Sequence, residues 1–500
     1  MGTIHIAGAL LVGAMVIDGC SSKAGDTAAS GCDAGETCAS GGNDTATGGA
    51  SAAGGAQGGA TGGTTSSSSG GTSTGATGGT TSASGGTSSS ASGGTSAGAT
   101  GGAPSKDGGP VSSCVPQVAT PAWTSPYAKW SRGIPTDPSF FPIAVWLQGS
   151  WHADELHQLG INIYVGNNAG TDEMASSDLA TIKKLGMYAI VGQDSVGLAN
   201  IDDPTIVGWW MSPDEPDNAQ ATSGGGYGPP VDPSTLVTEY NAYKTADSTR
   251  PIYLGLGQGV AFDNYEGRGS NPPAESGYVP ASDIIDFDIY PYNNCGGDQN
   301  SQTTCGEFWL NALGIDRLHQ WSNRNQAAWT DIETTVIGAG TTTGPTPTQT
   351  KSETWLSLIH GANGIAYFLD TWQPSFQEDG IFKDSAMVTA VTALNQQITS
   401  LAPVLNSATL SNLVSVATSS AATPIDTMVK TSAGSVYVFA AVSRKGTATG
   451  TFTLRGVTGN GTATVVGEHR TVDIKSGVFS DAFAENDVHI YELDPSMCTP

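Results

Sequence analysis

From residue 141 to residue 372 the chain alternates two patterns. Short apolar runs are followed by segments with helical spacing that end at glycine. FPIAVWLQ (141–148) reads as a buried strand, and WHADELHQLG (151–160) as a helix stopped by Gly160. INIYVGNN (161–168), YAIVGQ (188–193), IVGWWMSP (206–213) and PIYLGLGQ (251–258) read as the second to fifth strands. DIIDFDIYPY (283–292), AAWTDIETT (327–335) and GIAYFLDTW (364–372) read as the sixth to eighth. Helical patterns fall at 177–186, 234–247, 306–322 and 348–362. Continuous apolar strands alternating with helices predict a parallel sheet buried on both faces, and eight such strands predict a (β/α)8 TIM barrel.

After residue 403 the pattern changes to period two. LSNLVSVATS, SVYVFAAVSR, GTFTLRGV and VHIYEL are short β-branched runs separated by Gly and Asn. They predict a small C-terminal antiparallel β-sandwich. All 11 Trp lie between Trp123 and Trp372, so this module lacks the exposed indoles of a sugar-stacking domain and reads as a companion to the barrel.

Composition changes the picture at the N-terminus. Residues 40–113 are almost wholly Gly, Ser, Thr and Ala, with nothing large enough to build a core. This stretch reads as a flexible tether with a root-mean-square reach of about 45 Å. Ahead of it, IAGALLVGAMVI (6–17) has the length of a signal-peptide core and is followed by Cys20, as in a bacterial lipoprotein. The domain reading is therefore a signal segment 1–20 with a lipid on Cys20, a linker 21–113, a catalytic barrel 114–402 and a sandwich 403–500. Export makes disulfides permissible. Sequence leaves the pairing of the other six cysteines open, and proximity suggests Cys32–Cys38, Cys295–Cys305 and Cys114–Cys498.

Charge narrows the partners. With 19 Lys and Arg against 45 Asp and Glu, the chain lacks the basic surface that nucleic acid requires. No CxxC or HxH spacing suggests a metal, and no cofactor is implied. The reading is a monomer that meets a membrane only through Cys20 and takes a carbohydrate as substrate.

The carbohydrate reading comes from the strand ends, where barrel enzymes carry their chemistry. The fourth strand ends in Asp214-Glu215-Pro216, and the seventh in Asp331-Ile332-Glu333. Two carboxyl groups facing each other across the mouth are what glycoside hydrolysis needs, one to protonate the leaving oxygen and one to attack the anomeric carbon. Aromatic residues nearby suit the C–H faces of sugar rings. Asn167 and Gln193, at the ends of the second and third strands, are candidate hydroxyl binders, and Trp146 is a candidate platform. Trp209 and Trp210 read as core, and His152 and His360 as structural. Asp331 reads equally as a buried support or a ligand. Asp286 and Asp288 interrupt an apolar strand, and the sequence gives them no role.

These strand-end residues resemble the retaining glycoside hydrolases of clan A, over about half the chain. The resemblance implies acid/base catalysis by Glu215, a nucleophilic Glu333, a tyrosine (Tyr290 or Tyr292) hydrogen-bonded to the nucleophile, and a sugar contact at Trp372. Asp214 stands where that clan carries an Asn that contacts the substrate. The resemblance implies cleavage of β-glycosidic bonds by double displacement, with catalytic carboxyls about 5–5.5 Å apart. Two rival readings are a carbohydrate-binding surface protein without turnover, and a structural envelope protein assembled through its sandwich.

Overall fold

The computed structural model describes residues 113–117, 121–167, 174–295, 304–337 and 343–499. The signal segment, Cys20, the Cys32–Cys38 pair and nearly all of the tether lie outside the described residues.

The barrel strands are β1 (Ile143–Trp146), β2 (Ile163–Val165), β3 (Tyr188–Gly192), β4 (Ile206–Trp210), β5 (Ile252–Leu256) and β6 (Ile284–Phe287). They continue as β7 (Ala327–Ala328), β8 (Asp331–Glu333) and β9 (Ile365–Phe368). All neighbours are parallel, in the order β7-β6-β5-β4-β3-β2-β1-β9-β8. β7 and β8 are two halves of the predicted seventh strand, broken at Trp329-Thr330. β7 pairs with β6 and β8 with β9, so the broken strand closes the barrel. Backbone bonds Trp329 N–H to Ile285 O (2.9 Å) and Ala366 N–H to Thr330 O (3.1 Å) span the gap.

The helices are α1 (Ala153–Leu159), α2 (Ser176–Lys184), α3 (Ser195–Ala199), α4 (Pro233–Ala246), α5 (Trp309–Ser322), α6 (Pro347–Ile359), α7 (Ser385–Ser400) and α8 (Ala402–Leu405). The sequence reading missed α3, α7 and α8. α7 has a clear start signal, because the Asp384 carboxylate accepts from the N–H groups of Ala386 and Met387. β5 is followed by short 3-10 turns rather than a described α-helix.

Alternation along the strands divides the core in two. Ile143, Val145, Ile252, Leu254, Ile285, Phe287 and Ile332 point outward into the layer under the helices. Ala144, Trp146, Ile163, Val165, Tyr253, Ile284, Ala366 and Phe368 fill the barrel interior. This second set determines what the mouth of the barrel can hold.

The C-terminal module consists of two antiparallel sheets. Its strands are β10 (Val414–Thr418), β11 (Ile425–Ser432), β12 (Ser435–Val442), β13 (Ala448–Leu454), β14 (Asn460–Val465), β15 (Arg470–Ile474), β16 (Val478–Phe483), β17 (Val488–Leu493) and β18 (Cys498–Thr499). One sheet runs β10-β13-β16 and the other β11-β12-β17-β14-β15, with β18 beside β14. Phe452 stacks on Phe479 with ring centroids 4.7 Å apart in its core. Met428, Phe439, Ala441, Val488 and Ile490 instead join the barrel's outer core, with Phe439 5.7 Å from Trp355 of α6. Burying one face against the barrel in this way suits a structural companion. Cys114 bonds Cys498 and Cys295 bonds Cys305. No helix among the described residues is long and apolar enough to cross a membrane.

Candidate active site

Strand six supplies the residues for which the sequence gave no role. Its inward positions are Ile284, Asp286, Asp288 and Tyr290, each two residues from the last. Asp288 and Tyr290 line a cleft at the C-terminal mouth of the barrel, together with Trp146, Asp214, Glu215, Tyr253, Gly255, Leu256, Asp331 and Phe368. The cleft volume is about 20 Å³, room for one or two water-sized groups.

The carboxyls fit because strand five gives way. Its inward positions after Tyr253 are glycines. A β-carbon at Gly255 would lie 2.9 Å from Asp214 Oδ1, and one at Gly257 would lie 2.6 Å from Glu215 Oε1 and 2.7 Å from Asn218 Nδ2. One step further, a β-carbon at Gly259 would meet the ion pair of Glu275 and Arg268. The alternate glycines in LGLGQG are therefore a legible signal of polar side chains folding across from strand four. Glu215 itself has φ 45°. This left-handed conformation costs a non-glycine residue about 1–3 kcal/mol and is concentrated at functional sites.

The cleft carboxyls form two hydrogen-bonded pairs. Glu215 bonds Asp288, which also takes a bond from Tyr290. Asp331 bonds Asp286, which accepts from the Tyr253 hydroxyl as well. Burial, then the charges of Asp288 and Asp214, pushes Glu215 well above the usual carboxyl range. Burial, then Asp286 and Asp288, does the same to Asp331. Asp214 is raised by burial and by Asp288, Asp286 and Asp217. Burial lifts Asp286 and Asp288 only to about 7, because each accepts hydrogen bonds that favour its anion. As the pH rises through about 7 the arrangement becomes two acid–anion pairs, Glu215 with Asp288 and Asp331 with Asp286. No Lys or Arg lines the cleft. Among the described residues no set of His, Cys, Asp and Glu is arranged to hold a metal ion.

Aromatic rings form the walls. Trp146 stacks on Phe368 at 5.5 Å and meets Trp210 edge-on at 6.5 Å, while Tyr290 lies 5.4 Å from Phe368.

The structure thus gathers four of the nine expected site residues in the cleft: Asp214, Glu215, Tyr290 and Trp146. The other five do not line it. Glu333 is fully buried, and its carboxylate is occupied by the backbone N–H groups of Tyr292 (2.7 Å) and Asn293 (2.9 Å) and by Asn293 Nδ2 (2.6 Å). It also bonds Glu353 of α6, and the Thr350 hydroxyl donates to its backbone oxygen at 3.1 Å. The expectation that Glu333 faces Glu215 across the mouth is corrected accordingly: the loop after β6 and helix α6 claim it, and Asp331 is the carboxyl of β8 that lines the cleft. Tyr292 turns its hydroxyl to Asn486 of the sandwich at 2.7 Å and stacks on Phe308. Gln193 donates to the Tyr243 carbonyl of α4 at 3.1 Å, and Asn167 reaches Asp178 of α2 at 3.4 Å. Trp372 is half-buried beside Phe376, with ring centroids 4.8 Å apart. The residues the sequence reading missed are Asp288, Tyr253 and Phe368.

Neither His152 nor His360 lines the cleft. His152 lies 3.8 Å from Glu378. His360 bridges Asp316 and Asp426, and although burial opposes its charge, their bonds raise it to about 9. Trp209 points outward, donating to Asp247 at 3.0 Å, whereas Trp210 belongs to the barrel interior.

No family model and no curated protein matches this sequence. Among solved structures, the chain is similar to an alpha-amylase from Geobacillus thermoleovorans complexed with acarbose, at 10% identity and a TM-score of 0.43, over 72% of this chain and 99% of that one. It is similar to a GH30 endoxylanase from Clostridium papyrosolvens at 9% identity and a TM-score of 0.39, over 71% and 96%. A glycoside hydrolase family 30 subfamily 8 xylanase from Clostridium acetobutylicum gives 11% and 0.39, over 71% and 95%. Likenesses this remote carry no argument about the chemistry of this chain.

Proposed function

We propose that the cleft hydrolyses O-glycosidic bonds. The observation that carries this reading is the pair formed by Glu215, a carboxyl that keeps its proton, and Asp288, its anionic partner, at the aromatic-walled mouth of the barrel. A glycosidic oxygen inserted between them takes the hydrogen bond of Glu215 and leaves Asp288 free to meet positive charge at the anomeric carbon. Glu215 then gives its proton to the leaving oxygen as the C–O bond breaks. Asp288 forms the new C–O bond of a glycosyl ester. Water, deprotonated by the Glu215 carboxylate, attacks that ester and restores both groups. The hydrogen-bonded pair stands closer than the about 5–5.5 Å of retaining enzymes and much closer than the about 6.5–9.5 Å that inversion needs, so a glycosidic bond has to part the two carboxyls to enter, and retention is the nearer geometry. Asp288 thus takes the role that sequence reading gave to Glu333.

The reading extends to a β-linked extracellular carbohydrate, handled by a monomer exported through residues 1–20 and held by a lipid at Cys20. Two disulfides fit an oxidising compartment. The test is reducing-sugar release from β-linked glucans, mannans, xylans and galactans by wild type, Glu215→Gln and Asp288→Asn. Release by wild type alone supports the reading. Equal release by all three sinks it, and binding without release by any favours a non-catalytic carbohydrate binder.

A further inference from the structure

Five large apolar side chains are exposed among the described residues, and the three aromatic ones, Trp151, Tyr227 and Phe376, all follow barrel strands at the mouth. The sandwich exposes only Met497 of this kind. One exposed apolar side chain is ordinary on any protein, but a concentration on one face marks a surface that meets something.

Two of the three sit on adjoining loops, because Trp151 follows β1 and Phe376 follows β9, and these strands pair. Trp151 is 61% exposed. Its indole lies across Gly149, where a β-carbon would run into Cε2 and Cζ2 of the ring. The glycine thus lets the ring settle on backbone and leave a face to solvent. Phe376 stands in a hairpin closed by Thr371 and Gln377, whose backbone N–H groups donate to each other's carbonyls at 2.9 and 2.7 Å, and its ring rests against Trp372. The loops are tied together: Gln148 Nε2 donates to Asp370 and to the Glu378 carbonyl (2.8 Å), and the Gly149 N–H donates to the Glu378 carboxylate. Both rings are therefore held in place before any ligand arrives.

The same two strands carry the aromatic wall of the cleft, Trp146 of β1 on Phe368 of β9. The five residues from Trp146 to Trp151 span at most about 18 Å, within reach of a chain that passes through the cleft. Tyr227 follows β4, which is four strands from β9 in either direction round the barrel. Exposed rings thus stand on opposite sides of the mouth.

We infer that Trp151 and Phe376 form an aromatic ledge that carries sugar rings of a polysaccharide beyond the cleft, with Tyr227 meeting the chain on the far side, so that long chains are bound across the mouth and cut internally. The inference rests on the glycosidase reading of the cleft and adds the length and cutting mode of its substrate. The C–H faces of sugar rings pack on such platforms, and binding energy gathered there lowers the barrier at the reacting bond.

The test assays the full chain on β-linked gluco-, manno-, xylo- and galacto-oligosaccharides from dimer to hexamer and on the parent polymers, reading viscosity beside reducing ends. Expected are a rise in kcat/KM of about tenfold or more from dimer to hexamer, and a fall in viscosity well ahead of reducing-end release. Trp151→Ala and Phe376→Ala should each remove most of that rise, and Trp151→Phe, which keeps a ring, should retain more of it than Trp151→Ala. Leu198→Ala, exposed but on α3, should keep it whole. Binding of each polymer is measured separately by affinity electrophoresis of Glu215→Gln, with and without Trp151→Ala. Hydrolysis independent of length, or a length gain that survives both alanines, overturns the inference and leaves the glycosidase reading intact. Polymer binding that Trp151→Ala abolishes, without hydrolysis by wild type, supports the ledge and sinks the glycosidase reading. Neither binding nor hydrolysis of any polymer overturns both, and self-association lost in Trp151→Ala would then give the ledge to a second copy of the chain.

Discussion

The barrel holds two kinds of carboxyl pair, one fully buried and one half-buried, and they differ in what surrounds them. At β8 and α6, Glu333 and Glu353 hydrogen-bond to each other, with the Glu333 carboxylate held by two backbone N–H groups and one amide. Every donor it needs is supplied by the protein, so this pair joins a loop to a helix. At the mouth, Glu215 and Asp288 face a cleft whose space is left by glycines on strand five. That pair has few protein donors and room for a ligand. Raised proton affinity is common to both, so it does not by itself identify a reacting group. The supply of donors and the open space beside the carboxyl do.

The largest expected effect tests this contrast. Glu215→Gln and Asp288→Asn should each lower kcat/KM by about a hundredfold or more, the usual scale for losing a general acid or its partner. Glu333→Gln should leave the activity of the folded protein at its original order of magnitude but destabilise it. The new amide N–H₂ would confront donors that now bond a carboxylate, at about 1–3 kcal/mol for each one left unsatisfied. Activity assays on the three variants, with melting curves beside them, separate the roles. Loss of turnover in a stably folded Glu333→Gln protein would return the nucleophile to strand seven.

A smaller loss is expected at Gly257. Its φ of −89° and ψ of −167° are ordinary extended backbone, so alanine changes only the space available. The new methyl group would displace the Glu215 carboxyl by a fraction of the misplacement of about 1 Å that costs roughly a hundredfold in rate, so a loss of about tenfold is expected. Gly224→Ala, where no atom lies within 4 Å of the β-carbon, is the matched control and should be silent. Comparing kcat for the two variants decides whether strand five positions the acid.

The barrel was legible because its signal is repeated: eight apolar strands in register with glycine-stopped helices leave one closed parallel arrangement. The site was only half legible, for a reason of geometry. Reading strand ends gives the right strands but not which way each side chain turns at the mouth. Glu333 continues the inward alternation of Asp331 in sequence, yet the N–H groups of Tyr292 and Asn293, 41 and 40 residues away in the chain, capture it. Asp286 and Asp288 could have been found by applying period two to strand six from Ile284, which puts both on the face of Tyr290. Gln193 and Asn167 were lost to helices α4 and α2, whose packing leaves no trace at the strand ends.

The pH dependence of kcat/KM should follow the cleft pair. Asp288 must be ionised, so the rate rises with pH through about 7. Glu215 must hold its proton, so the rate falls again at higher pH as its raised pKa is passed. A profile flat from about pH 6 to about 8 would rule out Asp288 as the required anion.

The smallest expected effect lies in the other pair. Burial, then the charge of Glu333, raises Glu353 well above the usual carboxyl range. In the folded state Glu353 holds a proton that the unfolded chain releases near its ordinary value of about 4.3. Folding therefore takes up a proton between those two values. The stabilising contribution is complete at low pH and declines as pH rises above the unfolded value toward the folded one. Glu353→Gln keeps a donor for Glu333 and removes the titration. The variant should match wild type near pH 4 and melt about 2 °C or more above it at pH 8. A variant less stable than wild type at both pH values would mean that the shape of the Glu353 carboxyl, not its proton, holds α6 to the end of β8.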